Sequence, residues 1–289
     1  MPPRVARRFF PALATAGLAS FVVQAQNAPA LPDLLQAGAE YLVRYSQRLS
    51  AIAAEEEYAQ FETSSDQLRA PRRLNADVVL VGLEDGSVAG FRDVVAIDNV
   101  PVHPRDDRLP NLFTATPWSS LDEARRLTDD SIKTYLSPNL HALDQPTMVL
   151  EFLRKANQDR STFSLESVKM MDGVRVAVLK FTERNTPRLI PVTGGGAAIG
   201  RFWIDVNTGT VRQTEVGIAS KGVSVRVTVK YAAQPALELW LPVEMSQHID
   251  TSGTGNSNFS KMGGGPGYVV RLSHEARATY SKFRRLPGR

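Results

Sequence analysis

Residues 200–217 read GRFWIDVNTGTVRQTEVG. Two runs rich in β-branched and aromatic residues flank Asn207, Thr208 and Gly209. Gly209 has no Cβ and can adopt the positive φ that a short hairpin loop with a bulge requires. The segment therefore predicts a β-hairpin, the local unit of an antiparallel sheet.

The chain after this hairpin alternates between apolar and polar residues. The apolar positions are Val223, Val225, Val227, Val229 and Tyr231, and the polar positions between them are Ser224, Arg226, Thr228 and Lys230. Because side chains of a strand point alternately to its two faces, one face of the sheet is apolar and the other contacts water. About seven strands are predicted from residue 161 onward, and their short connections favour antiparallel pairing. Another part of the chain has to cover the apolar face.

The first half of the chain contains candidate helices for this cover. Apolar residues recur at steps of three and four over residues 33–53, which predicts an amphipathic helix with Leu42 on its apolar stripe. The sequence from Ser120 to Glu123 is a capping box, which predicts the start of a second helix. Pro146 suits the first position of a third helix, because the N–H that proline lacks has no partner there.

Strands are also predicted between these helices. The consecutive glutamates 55–57 are interpreted as a solvated bend, followed by a first strand at residues 58–61. Further strands are predicted at residues 77–81 and 90–98, the second ending in the turn formers Asp98 and Asn99. The elements together predict an α+β fold.

The first 25 residues have the organisation of a secretory signal peptide. Three arginines precede an apolar run at residues 9–23, which is followed by a small residue, Ala25. We expect cleavage after Ala25, so that residues 26–289 form one exported domain in the periplasm or outside the cell. The apolar run is short and contains a proline, so a permanent membrane span is the less favoured interpretation.

The basic charge of the sequence comes largely from this N-terminal segment. The full chain has 34 Lys and Arg against 30 Asp and Glu, a net charge of +4. Without the three N-terminal arginines the net charge is about +1, which does not favour a nucleic-acid partner. The chain contains no cysteine, which excludes disulfides and thiolate chemistry.

Residue types that carry catalysis are present but form no recognisable pattern. The four histidines are scattered, without a His-Glu-x-x-His arrangement, so no metal site is predicted. The sequence has no Gly-x-Ser-x-Gly elbow, and its glycine clusters at 194–196 and 263–265 lie between predicted strands, where they indicate turns. We therefore predict neither an enzyme nor a cofactor. A pair of carboxylates of the glycosidase type stays open as an alternative, because Asp and Glu are plentiful.

Two features allow both a structural and a functional interpretation. Arg92 and Asp93, and likewise Arg201 with Asp205, place charges in apolar strands. They can form a polar gate or an acid/base pair, or they can be structural ion pairs, which is the favoured interpretation. Trp203 can be a packing residue or a platform for a ligand, and packing is again favoured.

The order of these elements resembles the periplasmic lipoprotein-carrier superfamily, which has the LolA/LolB-like fold. The shared features are the signal peptide, a long helix running into a first strand, two helices inserted midway and a many-stranded antiparallel sheet. The phrases similar to the late strands of that family are Trp203-Ile204-Asp205 with Asn207-Thr208-Gly209, Leu241-Pro242-Val243-Glu244 and Ala278-Thr279-Tyr280. Phe91-Arg92-Asp93-Val94, with Arg108-Leu109 and Phe113, is similar to a set of uncharacterised exported bacterial proteins.

The resemblance implies a half-open, barrel-like antiparallel sheet of about ten strands. The N-terminal helix and the two inserted helices would cover its concave face, which would take up acyl chains. In this arrangement, the candidates for lining the cavity are Leu42, Trp203, Val225, Val227, Val229 and Leu241. Arg92 and Asp93 are the candidates for a polar gate.

Two functions of different classes follow from these observations. The leading hypothesis is an exported protein that binds an apolar ligand, such as a lipid or acyl chain, without covalent chemistry. The alternative is a structural or interaction protein of the cell envelope whose interior is filled by its own side chains and whose partner is another envelope protein. An open apolar cavity would favour the first, and a packed centre would favour the second.

Overall fold

A computed structural model describes residues 28–64, 67–68, 70–115, 120–135, 145–192, 195–254 and 269–287. The predicted signal peptide with its cleavage site and the glycine cluster 263–265 lie outside the described residues. The predictions made for them therefore stay predictions.

The described residues form helices and one large sheet. The α-helices are α1 (Leu31–Leu49), α2 (Arg108–Ala115) and α3 (Leu121–Tyr135), and short 3₁₀ helices occupy Met148–Leu153, Lys155–Arg160 and Pro235–Leu237. The strands are β1 (Ala51–Ser64), β2 (Gln67–Leu68), β3 (Arg72–Gly82), β4 (Val88–Ile97), β5 (Val100–Pro101), β6 (Ser161–Met171), β7 (Val174–Glu183), β8 (Ala198–Asp205), β9 (Val211–Ser220), β10 (Val223–Gln234), β11 (Leu239–Thr254) and β12 (Val269–Arg285).

All strand pairs of the sheet are antiparallel. The order is β5-β4-β3-β1-β12-β11-β10-β9-β8-β7-β6, and β2 pairs with β1 at the side of this path. Strands β5 and β6 stand at the two ends and do not pair with each other, so the sheet is open. The predicted α+β class with a half-open, barrel-like antiparallel sheet is confirmed, as are the seven strands predicted after residue 161.

The opening hairpin forms as predicted between β8 and β9. Gly209 has φ of +73°, and the Asp205 carboxylate accepts the N–H groups of Asn207 and Thr208 at 3.0 and 3.3 Å. A Cβ on Gly209 would lie 2.2 Å from the carbonyl oxygen of Ala37 in α1. The loop therefore needs glycine both for its backbone conformation and for its close approach to α1.

The sheet is apolar on both faces in its first part. In β3, the residues Leu74, Ala76, Val78 and Leu80 belong to the large core cluster on the face covered by α1, which we call the inner face. Val79 and Val81, which alternate with them, belong to a separate cluster on the outer face. The first part of the sheet therefore needs a cover on each side.

Helix α1 and the 3₁₀ helix Met148–Leu153 cover the inner face. Four large side chains of α1 are buried there: Leu34, Leu42, Tyr45 and Leu49. Burial of such side chains is worth about 1.5 to 3 kcal/mol each, so α1 gains at most about 6 to 12 kcal/mol from this contact. The amphipathic helix predicted from the stripe is thus present and packs its apolar side on the sheet.

The predicted C-terminal end of this helix was wrong. The helix ends at Leu49, Ser50 has φ of 41°, and β1 begins at Ala51. Residues 51–54 are buried on both faces of β1, so their continuous apolar run extended the helical stripe without breaking it. As a result Glu56, predicted as part of a solvated bend, is a buried residue in the middle of a strand.

The inserted helices do not lie where the resemblance placed them. Helix α2 and the first turns of α3 cover the outer face, where Leu109, Phe113 and Ala124 join the outer cluster. The end of α3, with Ile132 and Tyr135, reaches the inner cluster. The third helix, predicted to open at Pro146, is replaced by two 3₁₀ helices, separated by extended backbone at residue 154.

Helix α3 also covers the free side of β4. The hydroxyl of Thr128 accepts the backbone N–H of Arg92 at 2.9 Å, and the hydroxyl of Ser131 accepts that of Val94 at 3.1 Å. These two N–H groups point away from β3 and would otherwise lack a strand partner. Side chains of a helix thus complete the hydrogen bonding of this strand.

Candidate functional site

The predicted cavity residues mostly lie together in a packed interior. Leu42, Val225, Val227, Val229 and Leu241 all belong to the inner cluster, and each is at most 6% exposed. None of them lines the pocket of about 390 Å³ or the cavity of about 710 Å³ described below. These five side chains are therefore buried together in the inner cluster.

Trp203 does not belong to this group, and its prediction as a cavity residue was wrong. It lies in a small cluster with Val176 and Val178 on the outer face. Its neighbours in β8, Phe202 and Ile204, point inward and join the inner cluster. Alternation along the strand leaves Trp203 facing the other way.

Arg92 points to the inner face and pairs with Glu56. Its Nε and Nη2 lie 2.5 and 2.8 Å from the two oxygens of the Glu56 carboxylate, a bidentate arrangement between buried groups. The guanidinium carbon is 5.5 Å from the centre of the Tyr58 ring. The Tyr58 hydroxyl in turn donates to Gln247 Oε1 at 2.6 Å. The inner face thus carries a buried polar patch beside its apolar cluster.

Asp93 points to the opposite face, so Arg92 and Asp93 do not form one gate. Arg108, at the start of α2, binds both oxygens of Asp93 at 2.6 Å. Asp77 stands directly opposite Asp93 in β3 and binds Arg105 at 2.6 Å. Burial raises the pKa of Asp77, and Arg105 opposes this effect. Arg105 and Arg108 offset the repulsion between the carboxylates of Asp77 and Asp93. Their ion pairs also hold residues 105–108 against the sheet.

A pocket of about 390 Å³ lies between the two ends of the open sheet, and we call it the seam pocket. Its first wall comes from β4 and α3, and its second from the connection between β7 and β8. The lining residues are Ala89, Gly90, Phe91, Arg125, Thr128, Asp129, Ile132, Gln145, Met148, Leu189, Ile190 and Pro191. The volume lies at the lower end of the range of small-molecule pockets, which is roughly 300 to 1,000 Å³.

Two polar side chains position the walls of the seam pocket. The buried carboxylate of Glu183 accepts the backbone N–H groups of Leu189 and Ala198, at 2.8 and 3.2 Å. The Gln145 amide donates to the carbonyl oxygen of Gly90 at 3.1 Å. The Glu183 contacts fix the position of the β7–β8 connection. The Gln145 contact holds the chain before Met148 beside β4.

Tyrosines form a second polar feature, beneath α1. The rings of Tyr41 and Tyr45 stack with centres 5.7 Å apart, and the Tyr231 hydroxyl donates to the carbonyl oxygen of Pro146 at 2.8 Å. Burial raises the pKa of all three phenols, so they are neutral at physiological pH. The buried Tyr45 hydroxyl has no hydrogen-bond partner in the described part of the chain.

Possible metal ligands do not cluster in the part of the chain that the structure describes. Within the described ranges, no group of three or more His, Cys, Asp or Glu residues could hold a metal ion. Among the helices of those same ranges, none is long and apolar enough to cross a membrane. The seam pocket borders the inner cluster through Ile132, Met148, Leu189 and Ile190.

Sequence reasoning missed the seam pocket and the role of Glu56. The pocket is assembled from four chain segments that are far apart in sequence and meet only through the order of the strands. Glu56 could have been found from alternation with Tyr58, had residues 51–57 been recognised as a strand.

Comparison with known proteins finds similarity in structure only. No family model and no curated protein matches this sequence. A domain described as an outer membrane lipoprotein-sorting protein, from Vibrio parahaemolyticus, shares 11% identity at a TM-score of 0.43, over 86% of this chain and 91% of that one. A DUF1329 family protein from Desulfovibrio piger shares 12% at a TM-score of 0.36, over 87% and 93%.

A LolA superfamily protein from Nitrosomonas europaea is also similar, with 12% identity, a TM-score of 0.31 and coverage of 86% of this chain and 94% of that one. At these TM-scores we infer no ligand, partner or activity from the three structures. The description of the third structure names the superfamily that the sequence resembles.

Proposed function

We propose that this chain is an exported protein that binds the apolar chain of a lipid-like ligand against the inner face of its sheet, without covalent chemistry. The observation that carries the proposal is the composition of the seam pocket. Ile132, Met148, Leu189 and Ile190 line this pocket and also belong to the inner cluster or pack against it. The pocket is thus a route from solvent to the apolar interior.

Export is part of the proposal and rests on the N-terminal segment. Three arginines, an apolar run and Ala25 have the order of a secretory signal peptide. Acyl chains of envelope lipids and lipoproteins are available to a protein in the periplasm or outside the cell.

Burial of an acyl chain supplies enough free energy for useful affinity. About fourteen methylenes would gain roughly 11 kcal/mol at about 0.8 kcal/mol each. Part of this gain offsets the loss of ligand freedom and the rearrangement of the buried interior. What remains is consistent with binding in the micromolar range or tighter.

Because Val227 and Leu241 are fully buried under this cover, part of the cover has to move when a ligand reaches them. We place this movement at the start of the 3₁₀ helix Met148–Leu153, because Met148 is only partly buried whereas Phe152 and Leu153 are fixed in the inner cluster. Met148 stands at the boundary between this helix and the seam pocket, and its unbranched side chain adapts readily to a new shape. A shift of this segment would open the pocket toward the cluster that includes Val227.

The test measures binding of N-phenylnaphthylamine, a neutral fluorescent probe, and its displacement by a fatty acid. Leu189→Trp fills the seam pocket at a partly exposed position. We expect at least a tenfold loss of probe affinity with a melting temperature near that of the wild type. The control is Met170→Trp, at an exposed position of β6 outside the pocket, which should bind the probe like the wild type.

Two results would contradict the proposal. Normal probe affinity of a folded Leu189→Trp variant would show that the bound ligand does not occupy the seam pocket. Absence of saturable probe binding to the wild-type protein would favour the alternative, an envelope interaction protein with a filled core. Complete burial of Val227 and Leu241 is the observation that supports that alternative.

A further inference from the structure

The outer face of the sheet carries a second, larger cavity. It has a volume of about 710 Å³ and extends across β10, β11, β12, β1 and β3, on the side away from α1; we call it the outer trough. Three exposed arginines line it: Arg73, Arg226 and Arg277. The outer trough is separate from the seam pocket and shares no lining residue with it.

Strand register places two of these arginines on either side of a small residue. Ala59 of β1 pairs with Arg277 of β12 on one side and with Arg73 of β3 on the other. Neighbouring strands are about 4.8 Å apart, so the Cα atoms of the two arginines are about 10 Å apart across Ala59. The methyl group of Ala59 leaves the space between them open, and two long side chains can reach one group from opposite sides.

These arginines differ from Arg201, on the same face, in their ion pairs. Along the same cross-strand row, Arg201 binds Glu166 and Glu215 at 2.7 and 2.9 Å. Its hydrogen bond lowers the pKa of the Glu166 carboxyl. By contrast, the guanidinium groups of Arg73, Arg226 and Arg277 form no ion pair with any carboxylate among the residues that the structure describes. In this part of the row, two arginines therefore flank an uncharged residue, and beyond them the Asp98 carboxylate accepts the backbone N–H of Arg73 at 2.8 Å.

We propose that the outer trough binds a phosphate group over Ala59, held between the guanidinium groups of Arg73 and Arg277. Guanidinium donates paired hydrogen bonds that match the oxygens of a phosphate, and two of these groups balance its double charge. The phosphate can belong to a soluble phosphate ester or to the headgroup of a lipid. A soluble phosphate ester and a lipid headgroup present the same anionic phosphate oxygens to Arg73 and Arg277.

The carboxylates in the trough set the strength of this site. Glu275 lies 3.4 Å from His248, whose ring is also 3.0 Å from Asp250. Glu57 is exposed. It lies two residues before Ala59 in β1, on the same face of the sheet. Its charge opposes an anion over Ala59, so its removal should strengthen binding by about twofold to threefold.

The decisive variant is Ala59→Glu. It places a carboxylate between the two arginines, where opposite charges across neighbouring strands stabilise a sheet. The protein should remain folded while its anion site is occupied by its own side chain. Arg201→Gln is the matched control, because it removes an arginine from the same face and row that is already paired.

The experiment titrates inorganic phosphate into the isotope-labelled protein and follows backbone amide resonances by NMR. We expect saturable shifts at residues 59, 73 and 277, a loss of affinity of at least tenfold in Ala59→Glu and Arg277→Gln, and unchanged affinity in Arg201→Gln. Absence of saturable shifts at these residues, or an equal loss in Arg201→Gln, would overturn the proposal.

Flotation with phosphatidylcholine vesicles, with and without phosphatidic acid, distinguishes the sources of the phosphate. Binding to phosphatidic acid vesicles with the same variant pattern would assign the site to a lipid headgroup, whereas binding of free phosphate alone would assign it to a soluble ester. Binding of polyglutamate without binding of phosphate would overturn the proposal in favour of an acidic peptide. The neutral probe used for the seam pocket reports on a different site, so each proposal can fail independently.

Discussion

Replacement of Glu183 by Gln tests how the second wall of the seam pocket is built. The carboxylate is 2% exposed and accepts two backbone N–H groups, from Leu189 at 2.8 Å and from Ala198 at 3.2 Å. Glutamine has the same shape but offers one acceptor oxygen in place of two. Its NH₂ group would face one of the two backbone donors, which would lose its partner.

The expected cost follows from this geometry. A buried donor without a partner costs about 1 to 3 kcal/mol, and the remaining bond becomes weaker because its acceptor is no longer charged. The lower desolvation cost of a buried amide offsets part of this loss. We therefore expect a loss of about 2 to 3 kcal/mol, or about 4 to 12 °C in melting temperature at 2 to 4 °C per kcal/mol.

Thermal unfolding and amide hydrogen exchange together check this prediction. Exchange should accelerate at Leu189 and Ala198, whose N–H groups the carboxylate binds. Glu215→Gln, which removes a partly exposed partner of Arg201, should cost less than about 1 kcal/mol. Unchanged exchange at both amides, with a melting temperature equal to that of the control, would refute the role assigned to Glu183.

Three further predictions concern the interior and the N-terminus. Leu42→Asp should lower the free energy of unfolding by several kcal/mol, because it buries an unpaired carboxylate. Gln47→Asp, on the exposed side of α1, should lower it by well under about 1 kcal/mol. Equal shifts in melting temperature would contradict the packing of α1. Val227→Phe should cost about 1 to 3 kcal/mol by overpacking, measured by urea unfolding, and a neutral effect would reveal free space beside Val227. N-terminal sequencing of the exported protein should begin at or near Gln26, and an intact N-terminus would contradict cleavage after Ala25.

The sheet was predictable because its signals are local. The loop at Gly209 and the alternation from Val223 to Tyr231 need no knowledge of distant residues. Alternation fails where consecutive residues are all apolar, as at Phe202, Trp203 and Ile204. Both faces of that strand accept such residues, so the sequence does not say which side Trp203 takes.

The end of α1 shows a second limit of sequence patterns. Ile52 continues the spacing of the helical stripe, yet it is the second residue of β1. The change occurs at Ser50, whose backbone leaves the helical region although serine gives no strong stop signal. This single error also assigned Glu56 to solvent and concealed its ion pair with Arg92.

The candidate sites depend on which strands become neighbours, which no local pattern states. The seam pocket needs β4 to approach the β7–β8 connection, and the outer trough needs β1 to lie between β3 and β12. In sequence, Ala59 is far from Arg277 and gives no sign of a site. Only the register of the sheet places Arg73 and Arg277 on either side of it.

Helix α3 also limits how copies of this protein can associate. Its Thr128 and Ser131 hydroxyls accept the N–H groups of Arg92 and Val94 along the edge of β4. A free strand edge is a template for adding strands, and a sheet with two free edges can extend from copy to copy into a fibre. Helix α3 blocks this addition along β4, which leaves β6 as the long open edge among the described strands. Pairing through one edge ends with two copies, so this fold is protected against open-ended aggregation through its sheet.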